Sequence, residues 1–303
     1  MLIDQELILL NKALGISSHD AVLEARRRLG VRKIGHTGTL DPFATGLLLL
    51  LVGSFTRLTE LFHALPKSYH AILELGRETN TDDLTGETVM ESKTWRTLNQ
   101  NDVSSVFAEK MGLGFQRPST FSAKRIKGKR AYRMALRGEV FDLEPRLVSF
   151  HDLEVTSMEG PRVKFKARVS TGTYIRALTR DVGRDLGCGA HLTALHRTQI
   201  GPFSIEDAVP SVEERVLSGS KKATRRGAEV VPWLPTRELD VQEREAIGQG
   251  RAIEQGAVIP ARWDHRGSEM TCDGFVALTH GCELIGVAES GAVGLQPRKV
   301  FQD

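Results

Sequence analysis

Asp41 is the residue of this chain best placed to do chemistry. It stands in Gly35-His36-Thr37-Gly38-Thr39-Leu40-Asp41-Pro42-Phe43-Ala44-Thr45-Gly46, just before the apolar run Leu47 to Val52. Gly35, Gly38 and Gly46 permit backbone angles and close approaches that larger residues forbid, while Pro42 stiffens the chain directly after the carboxylate. A carboxylate held this way can serve as a nucleophile or as a general base. Asp-Pro between glycines is equally an ordinary turn signature, in which the aspartate caps its own backbone. The loop is no nucleotide triphosphate cradle, because it lacks the Gly-Lys-Ser/Thr ending that brings a lysine and a hydroxyl to phosphate and magnesium. His36 offers a metal ligand, a general base or a recognition group. Metal binding has least support: no second histidine stands at helical or finger spacing, and His191 and His196 form no HExxH.

A second chemically loaded stretch runs from Arg117 to Arg137. It carries Arg117, Lys124, Arg125, Lys127, Lys129, Arg130, Arg133 and Arg137, no acidic residue, and the interleaved rings of Phe121 and Tyr132. Lysines and arginines neutralise phosphates and release counterions, and aromatic faces accept unstacked bases. The same run also reads as a solvated loop that only aids solubility.

Periodicity indicates the elements that must hold these residues. Glu6 to Leu10 reads as a strand, and Ser17-x-x-Asp20 opens a helix with Val22, Ala25 and Leu29 inward, ended by Gly30. Leu47 to Val52 is a buried strand, followed by a helix carrying Leu58, Leu61 and Phe62. Tyr69, Ala71, Leu73 and Leu75 alternate with polar positions, so Lys67 to Leu75 is a strand with Tyr69 on its apolar side. Gly76 to Gly86 reads as a polar loop, and Asn101 as the cap of a helix carrying Val103, Val106 and Phe107. Val163, Phe165, Ala167 and Val169 alternate with Lys164, Lys166, Arg168 and Ser170, which gives a strand with one apolar and one mainly basic face. Beyond Gly172 a helix places Ile175, Leu178, Val182 and Leu186 on one side and stops at Gly187. Val231-Pro232-Trp233-Leu234-Pro235 marks a boundary. Short strands at Phe275 to Thr279, Leu284 to Ala288 and near Val293 to Leu295 then suggest a small β-barrel.

With 303 residues, 40% hydrophobic and 26% charged, the chain can bury a full core, in one large domain plus a smaller one. Its net charge of +3 is too small to announce nucleic-acid binding without the local clustering described above. Cys188, Cys272 and Cys282 form no CxxC pair and read as reduced, structural thiols of a cytosolic protein. The longest apolar run is too short to cross a bilayer, and the N-terminus has no basic segment followed by an apolar core, so a cytoplasmic location is expected.

From about Leu9 to Phe203 the chain also carries an ordered series of short motifs. After Asn11-Lys12, Gly15-x-Ser17-Ser18 and the Asp41 stretch come Lys67-x-Tyr69, Leu75-Gly76-x-x-Thr79-x-Thr81-x-Asp83-x-x-Gly86 and Ser170-x-Gly172-Thr173-Tyr174-Ile175-Arg176-x-Leu178. Asp181-x-Gly183-x-x-Leu186-Gly187 and Leu195-x-Arg197-Thr198-x-x-Gly201-x-Phe203 complete it. The series resembles the TruB family of tRNA pseudouridine synthases, whose signature Gly-His-Thr-Gly-x-Leu-Asp-Pro-x-Ala-Thr-Gly is met at every fixed position. Two places depart from that family's pattern. Pro118-Ser119-Thr120-Phe121-Ser122-Ala123 stands where Pro-Pro-x-Tyr-Ser-Ala is usual, and Gly53-Ser54-Phe55-Thr56-Arg57 where the family tends towards Gly-x-Ala-Thr-Lys.

The resemblance implies an α+β pseudouridine synthase fold, with a mixed, mainly antiparallel sheet and a central cleft, over residues 1–230. It further implies an RNA-clasping basic insertion at about 117–145 and a PUA-like RNA-binding barrel over 231–303. The implied reaction is isomerisation of uridine to pseudouridine at position 55 in the T loop of tRNA, by base flipping. No group leaves for good, so neither cofactor nor metal is required. The implied enzyme is a cytoplasmic monomer that takes the tRNA T stem-loop and has no obligatory protein partner. Asp41 would be its catalytic carboxylate, attacking base or sugar or removing a proton from ribose C2'. Arg176 would keep Asp41 ionised and positioned, and Tyr69 would stack on the flipped uracil with its hydroxyl near C5. Leu195 would pack against the base and Tyr174 would form pocket wall or core. His36 would stack in the distorted RNA loop, Lys12 would meet the turn or backbone, and Lys124, Arg125, Lys127 and Arg130 would hold RNA. Two readings share these motifs: a non-catalytic tRNA-binding or tRNA-folding protein, and an RNA-guided pseudouridine synthase that works with partner proteins. A third, an unrelated hydrolase using Asp41, would release product instead of isomerised RNA.

Overall fold

The computed structural model describes residues 5–121, 125–126, 129–130, 134, 137, 139, 141, 143–218, 222–263, 274–292 and 294–301. They divide into two compact bodies, Met1–Leu65 with Thr198–Asp303, and Pro66–Arg197. The first body begins with strand Leu7–Lys12 (β1), helix Ser18–Leu29 (α1), strands Ile34–His36 (β2) and Thr45–Val52 (β3), and the short helix Thr59–His63 (α2). β1 runs antiparallel to β3, with Leu7 opposite Leu51 and Lys12 opposite Gly46, and β2 also pairs with β3. The unbroken leucine run of β3 follows from burial on both faces. Leu47, Leu49 and Leu51 enter one apolar cluster, and Leu48, Leu50 and Val52 enter another beneath α1. α1 starts on a Ser17/Asp20 capping box and ends at Gly30, as its sequence indicates.

The second body contains Lys67–Leu75 (β4), the paired strands Arg77–Thr79 (β5) and Thr88–Glu91 (β6), helix Gln100–Glu109 (α3) and Gly112–Gln116 (β7). Arg125–Ile126 (β8) and Lys129–Arg130 (β9) form a small antiparallel pair within the basic run, whose Lys124 and Lys127 lie outside the described residues. Arg146–Glu159 (β10), Arg162–Val169 (β11), helix Ile175–Asp185 (α4) and Ala190–Ile200 (β12) follow. The strand order is β12-β4-β11-β10-β7, with β4, β11, β10 and β7 successively antiparallel. β11 alternates strictly between buried apolar and exposed positions, and Phe165 on its buried face meets Phe107 of α3 at a ring-centroid distance of 5.0 Å.

Three expectations change here. Gly76 to Gly86 is not simply a loop, because Arg77–Thr79 pairs with Thr88–Glu91. Asn101 lies inside α3, and the cap is Asn99, whose side chain accepts from the backbone N–H of Asn101 and Asp102. α4 is buried nearly all round rather than on one side, with Arg176, Thr179 and Arg180 among its buried residues.

The first body resumes with Phe203–Ser204 (β13), helix Val212–Ser218 (α5) and Thr224–Arg225 (β14), which pairs with β1. Thr236–Glu238 (β15), helix Val241–Gly248 (α6), Phe275–His280 (β16), Glu283–Gly291 (β17) and Gly294–Val300 (β18) complete it. β15 to β18 form a small four-stranded sheet, parallel at β15/β16 and otherwise antiparallel. Among the described residues this is an open sheet rather than the barrel the pattern suggested. One segment nevertheless reaches both of its edges: Ile259 exchanges backbone hydrogen bonds with Thr236 on β15, and Ile253 does so with Leu295 on β18. No helix of the described residues is long and apolar enough to cross a membrane.

The proline-flanked segment read as a boundary lies in the core. Val230, Val231, Trp233 and Leu234 are buried, and the Trp233 indole stands edge-on to Phe62 at 5.0 Å and to Phe203 at 6.1 Å. Phe55, the bulky departure from the family pattern, packs edge-on against Phe301 at 5.3 Å. Trp233→Ala should therefore cost about 3–5 kcal/mol of stability, as for a large core aromatic. The shift of the urea midpoint measures it, and a loss below about 1 kcal/mol would mean that the indole is peripheral.

Candidate active site

The residues with expected functional roles fall into two groups, one in each body. In the first body, the Asp41 turn is fixed on both sides. The Ser18 hydroxyl accepts from Leu40 N–H at 2.8 Å and donates to Leu40 C=O at 3.1 Å. Pro42 C=O accepts from Gly15 N–H at 2.8 Å, and Asp41 C=O accepts from Ala44 N–H at 3.0 Å, closing a turn with proline in its favoured place. Asp41 itself is half-buried. Of the loop's three glycines, Gly46 is the one with left-handed backbone, φ +106°, where the chain enters β3. Lys12 is no surface lysine: it is 1% exposed, and its ammonium donates to the carbonyls of Ala13 at 2.9 Å and Ile16 at 2.7 Å. It thereby shapes the turn whose Gly15 holds Pro42. His36 is half-buried and accepts from Gly38 N–H on Nδ1 at 3.3 Å, which leaves the proton of the neutral ring on Nε2.

In the second body, Arg176 is 5% exposed and its guanidinium is well supplied with acceptors. It pairs with Asp83 at 3.3 Å and donates to Thr81 C=O at 2.9 Å, the Ser119 hydroxyl at 3.3 Å and Phe121 C=O at 2.9 Å. Asp83 Oδ1 accepts in turn from the Thr81 hydroxyl at 2.8 Å, Thr85 N–H at 2.9 Å and the Thr85 hydroxyl at 2.6 Å. One turn further along α4, Arg180 pairs with Asp82 at 3.1 Å and donates to Arg117 C=O at 2.8 Å. A turn beyond that, Arg184 donates to Glu78 at 3.0 Å. Burial raises the Asp82 carboxyl above its usual range, while Arg180 opposes the shift. Tyr174, just before α4, has both backbone groups held by the Gln116 amide, at 2.9 and 3.1 Å.

Tyr69 on β4 is half-buried, and Leu195 lies buried on neighbouring β12. The sequence alone singles out neither Asp83, which pairs with Arg176, nor Arg197, which lies buried on β12. Both stood in the quoted motifs, and position along the element was the available signal: Arg197 follows Leu195 by two on the same strand face. Ser119 stands where the family pattern has a proline, and its hydroxyl lies within the Arg176 cluster. Arg125 and Arg130 contribute backbone to the β8/β9 pair. Among the described residues no group of three or more His, Cys, Asp or Glu side chains could hold a metal ion.

The TruB family pseudouridylate synthase N-terminal domain matches residues 26–175, and the tRNA pseudouridylate synthase B C-terminal domain matches residues 176–218. A tRNA pseudouridine synthase B of Synechococcus sp. (strain WH7803) is 36% identical over 97% of this chain and 96% of its own length. The enzyme of the same name from Geotalea uraniireducens (strain Rf4) is 35% identical over 95% and 92%. The chain belongs to the TruB family of tRNA pseudouridine synthases. As such it is an isomerase. Its fold is shared with a chain in the structure of an H/ACA RNP bound to a substrate RNA containing 2'-deoxyuridine, with a TM-score of 0.71 at 23% identity, covering 98% of this chain and 85% of that one.

Two predictions follow from how this TruB-family site is held. Ser18→Ala leaves the N–H and C=O of buried Leu40 without their hydroxyl, so stability should fall by about 1–3 kcal/mol. Turnover should fall with it, and an unchanged urea midpoint would remove Ser18 as the pin. Lys67, buried on β4, has its ammonium pushed down to about 7 by burial, with added repulsion from Arg197. Below pH 7 both folded and unfolded chains carry that proton, and the burial penalty acts in full. Between pH 7 and the ordinary value of 10.5 only the unfolded chain binds it, so this residue makes stability rise with pH across that window. Lys67→Met should flatten the rise in a series of urea titrations, and an identical slope in both proteins would contradict the assignment.

Proposed function

We propose that this chain isomerises uridine to pseudouridine at position 55 in the T loop of tRNA, flipping the target base and using Asp41 as the catalytic carboxylate. The observation that carries the reading is the turn around Asp41, pinned through Leu40 by Ser18 and through Pro42 by Gly15, in a chain of this family. Pre-set geometry of this kind removes orientational entropy from a reaction whose reagents are already together. In the reaction the bond from ribose C1' to uracil N1 breaks, the base turns, and C5 joins C1'. C5 loses its proton while N1 gains one, so atoms balance without a cofactor. The carboxylate serves at the sugar or base, and Arg176 keeps it charged.

Tyr69 and Leu195, from neighbouring strands, retain the loose uracil between a ring face and an apolar wall. Tyr174 completes the wall. His36 meets the distorted RNA loop, and Lys12 supports the turn. Lys124, Arg125, Lys127 and Arg130 of the insertion hold phosphates of the T stem. Residues 1–230 serve as the catalytic domain, built around a central cleft, and 231–303 as a PUA-like RNA-binding barrel. The segment that meets both edges of the C-terminal sheet supports the barrel reading. The protein works as a cytoplasmic monomer without an obligatory protein partner. Near full-length likeness to tRNA enzymes favours tRNA over a guide-directed substrate.

The test uses an unmodified tRNA transcript labelled with tritium at uridine C5. Release of label to water accompanies isomerisation, and complete retention by folded, RNA-binding protein would refute the reading. Asp41→Asn should lower release at least ~1000-fold, as loss of a nucleophile or base does, with tRNA affinity within about threefold of the parent. Full activity of that variant would take Asp41 out of the mechanism.

A further inference from the structure

Arg197 is a guanidinium removed from water. It is 1% exposed and lies on β12 two residues beyond Leu195, beside β4. The neighbouring strands are fixed to each other where the Thr193 hydroxyl donates to Ile72 C=O at 3.0 Å. Strand alternation sets Leu195 and Arg197 on one face of β12, and Lys67 and Tyr69 on one face of β4. Burial pushes the Arg197 guanidinium down, and the Tyr69 phenol opposes that shift through its charge and a side-chain hydrogen bond. Nearby positions on the same face of β4 and on β11, Ala71, Leu73, Val163 and Phe165, are apolar and buried. A residue that only filled space here would be apolar too, because a buried charge costs several kcal/mol before its partners offset it.

From this contact we infer that Arg197 is the positioning residue of Tyr69, holding the phenol oxygen so that ring and hydroxyl meet the flipped uracil in one orientation. The inference rests on the proposed role of Tyr69 at the target base. A tyrosine side chain has two torsions. β4 anchors one end of it, and a guanidinium shielded from water anchors the other. Arginine suits the task because its planar fork of donors is rigid, charged at every working pH and directional, which a lysine ammonium is not. Tyr69 remains half-buried, so part of the ring is left for a ligand to cover. Burial and, to a smaller extent, Arg197 push the Lys67 ammonium down to about 7, so above neutral pH the guanidinium loses a repelling neighbour.

The experiment compares single-turnover tritium release from C5-labelled tRNA by the full-length protein and by Tyr69→Phe, Arg197→Met, Arg197→Lys and the double variant Tyr69→Phe/Arg197→Met. Arg197→Met should slow the chemical step about 100-fold, the scale of a misplaced group, with tRNA affinity within about threefold. Arg197→Lys should recover about tenfold of that loss, because charge and one donor return without the fork. The decisive readout is the double variant: once the hydroxyl is gone, losing its holder should cost less than about twofold more. Multiplying losses in the double variant would mean that Arg197 acts on packing, and would overturn the inference. A slow Tyr69→Phe beside a normal Arg197→Met overturns it too, and leaves the role of Tyr69 intact. A fully active Tyr69→Phe removes both. Thermal melts identify any variant that does not fold, and in that case Arg197→Lys, alone and with Tyr69→Phe, carries the same comparison.

Discussion

A guanidinium removed from water must find an acceptor in the protein for nearly every donor, and α4 buries two of them. Arg176 and Arg180 stand one helical turn apart, with Arg184 a further turn along, so the three reach the same neighbouring segment. That segment supplies Asp83, Asp82 and Glu78. Removing Asp83 or Asp82 would strand a buried charge, which costs far more than an exposed pair such as that of Arg184 contributes. The chain pays for this arrangement in backbone conformation, since among the described residues Asp82 is the non-glycine residue with a left-handed φ, +62°. The arginines also grip the carbonyls of Arg117 and Phe121, so the basic run starts from a point fixed to the helix.

The Asp41 turn uses a different economy. Its pins are neutral hydrogen bonds between backbone groups and one hydroxyl, and they act on Leu40 and Pro42 on either side of the acid. The backbone on either side of the acid is thus fixed by its neighbours. Lys12 extends the same logic: its charge is spent on two carbonyls of the adjoining turn, so a buried cation becomes scaffold.

Local chemistry was legible in the sequence where a single rule dominates. The Ser17/Asp20 box, the Gly30 stop, the two-period of β11 and the full run of β4 all read correctly, because capping and alternation are decided within a few residues. The α+β class and the mainly antiparallel pairing also stood. Tertiary burial was less legible. Pro232 and Pro235 carry a boundary signature, and Trp233 between them is buried against Phe62 and Phe203. Arg176 and Arg180 look like surface residues on a helical wheel, and the acids and carbonyls of distant segments make their burial possible. Arg197 escaped notice for the same reason: its partner Tyr69 lies on another strand, and no local spacing encodes that pairing.

The departures from the family pattern show how a site tolerates change when the lost function is supplied by the newcomer. A proline at position 119 would stiffen the segment but could donate nothing. Ser119 is fully buried, accepts from Arg176 and donates to Thr81 C=O at 3.3 Å, so it exchanges covalent stiffness for membership of the network that orders the same stretch. The phenol lost at Phe121 takes away a side-chain hydroxyl, but the backbone carbonyl of that residue still receives Arg176 at 2.9 Å. A backbone acceptor is indifferent to the identity of its side chain. Order at the root of the basic run thus depends on the arginines of α4 rather than on the proline and tyrosine that the family usually places there.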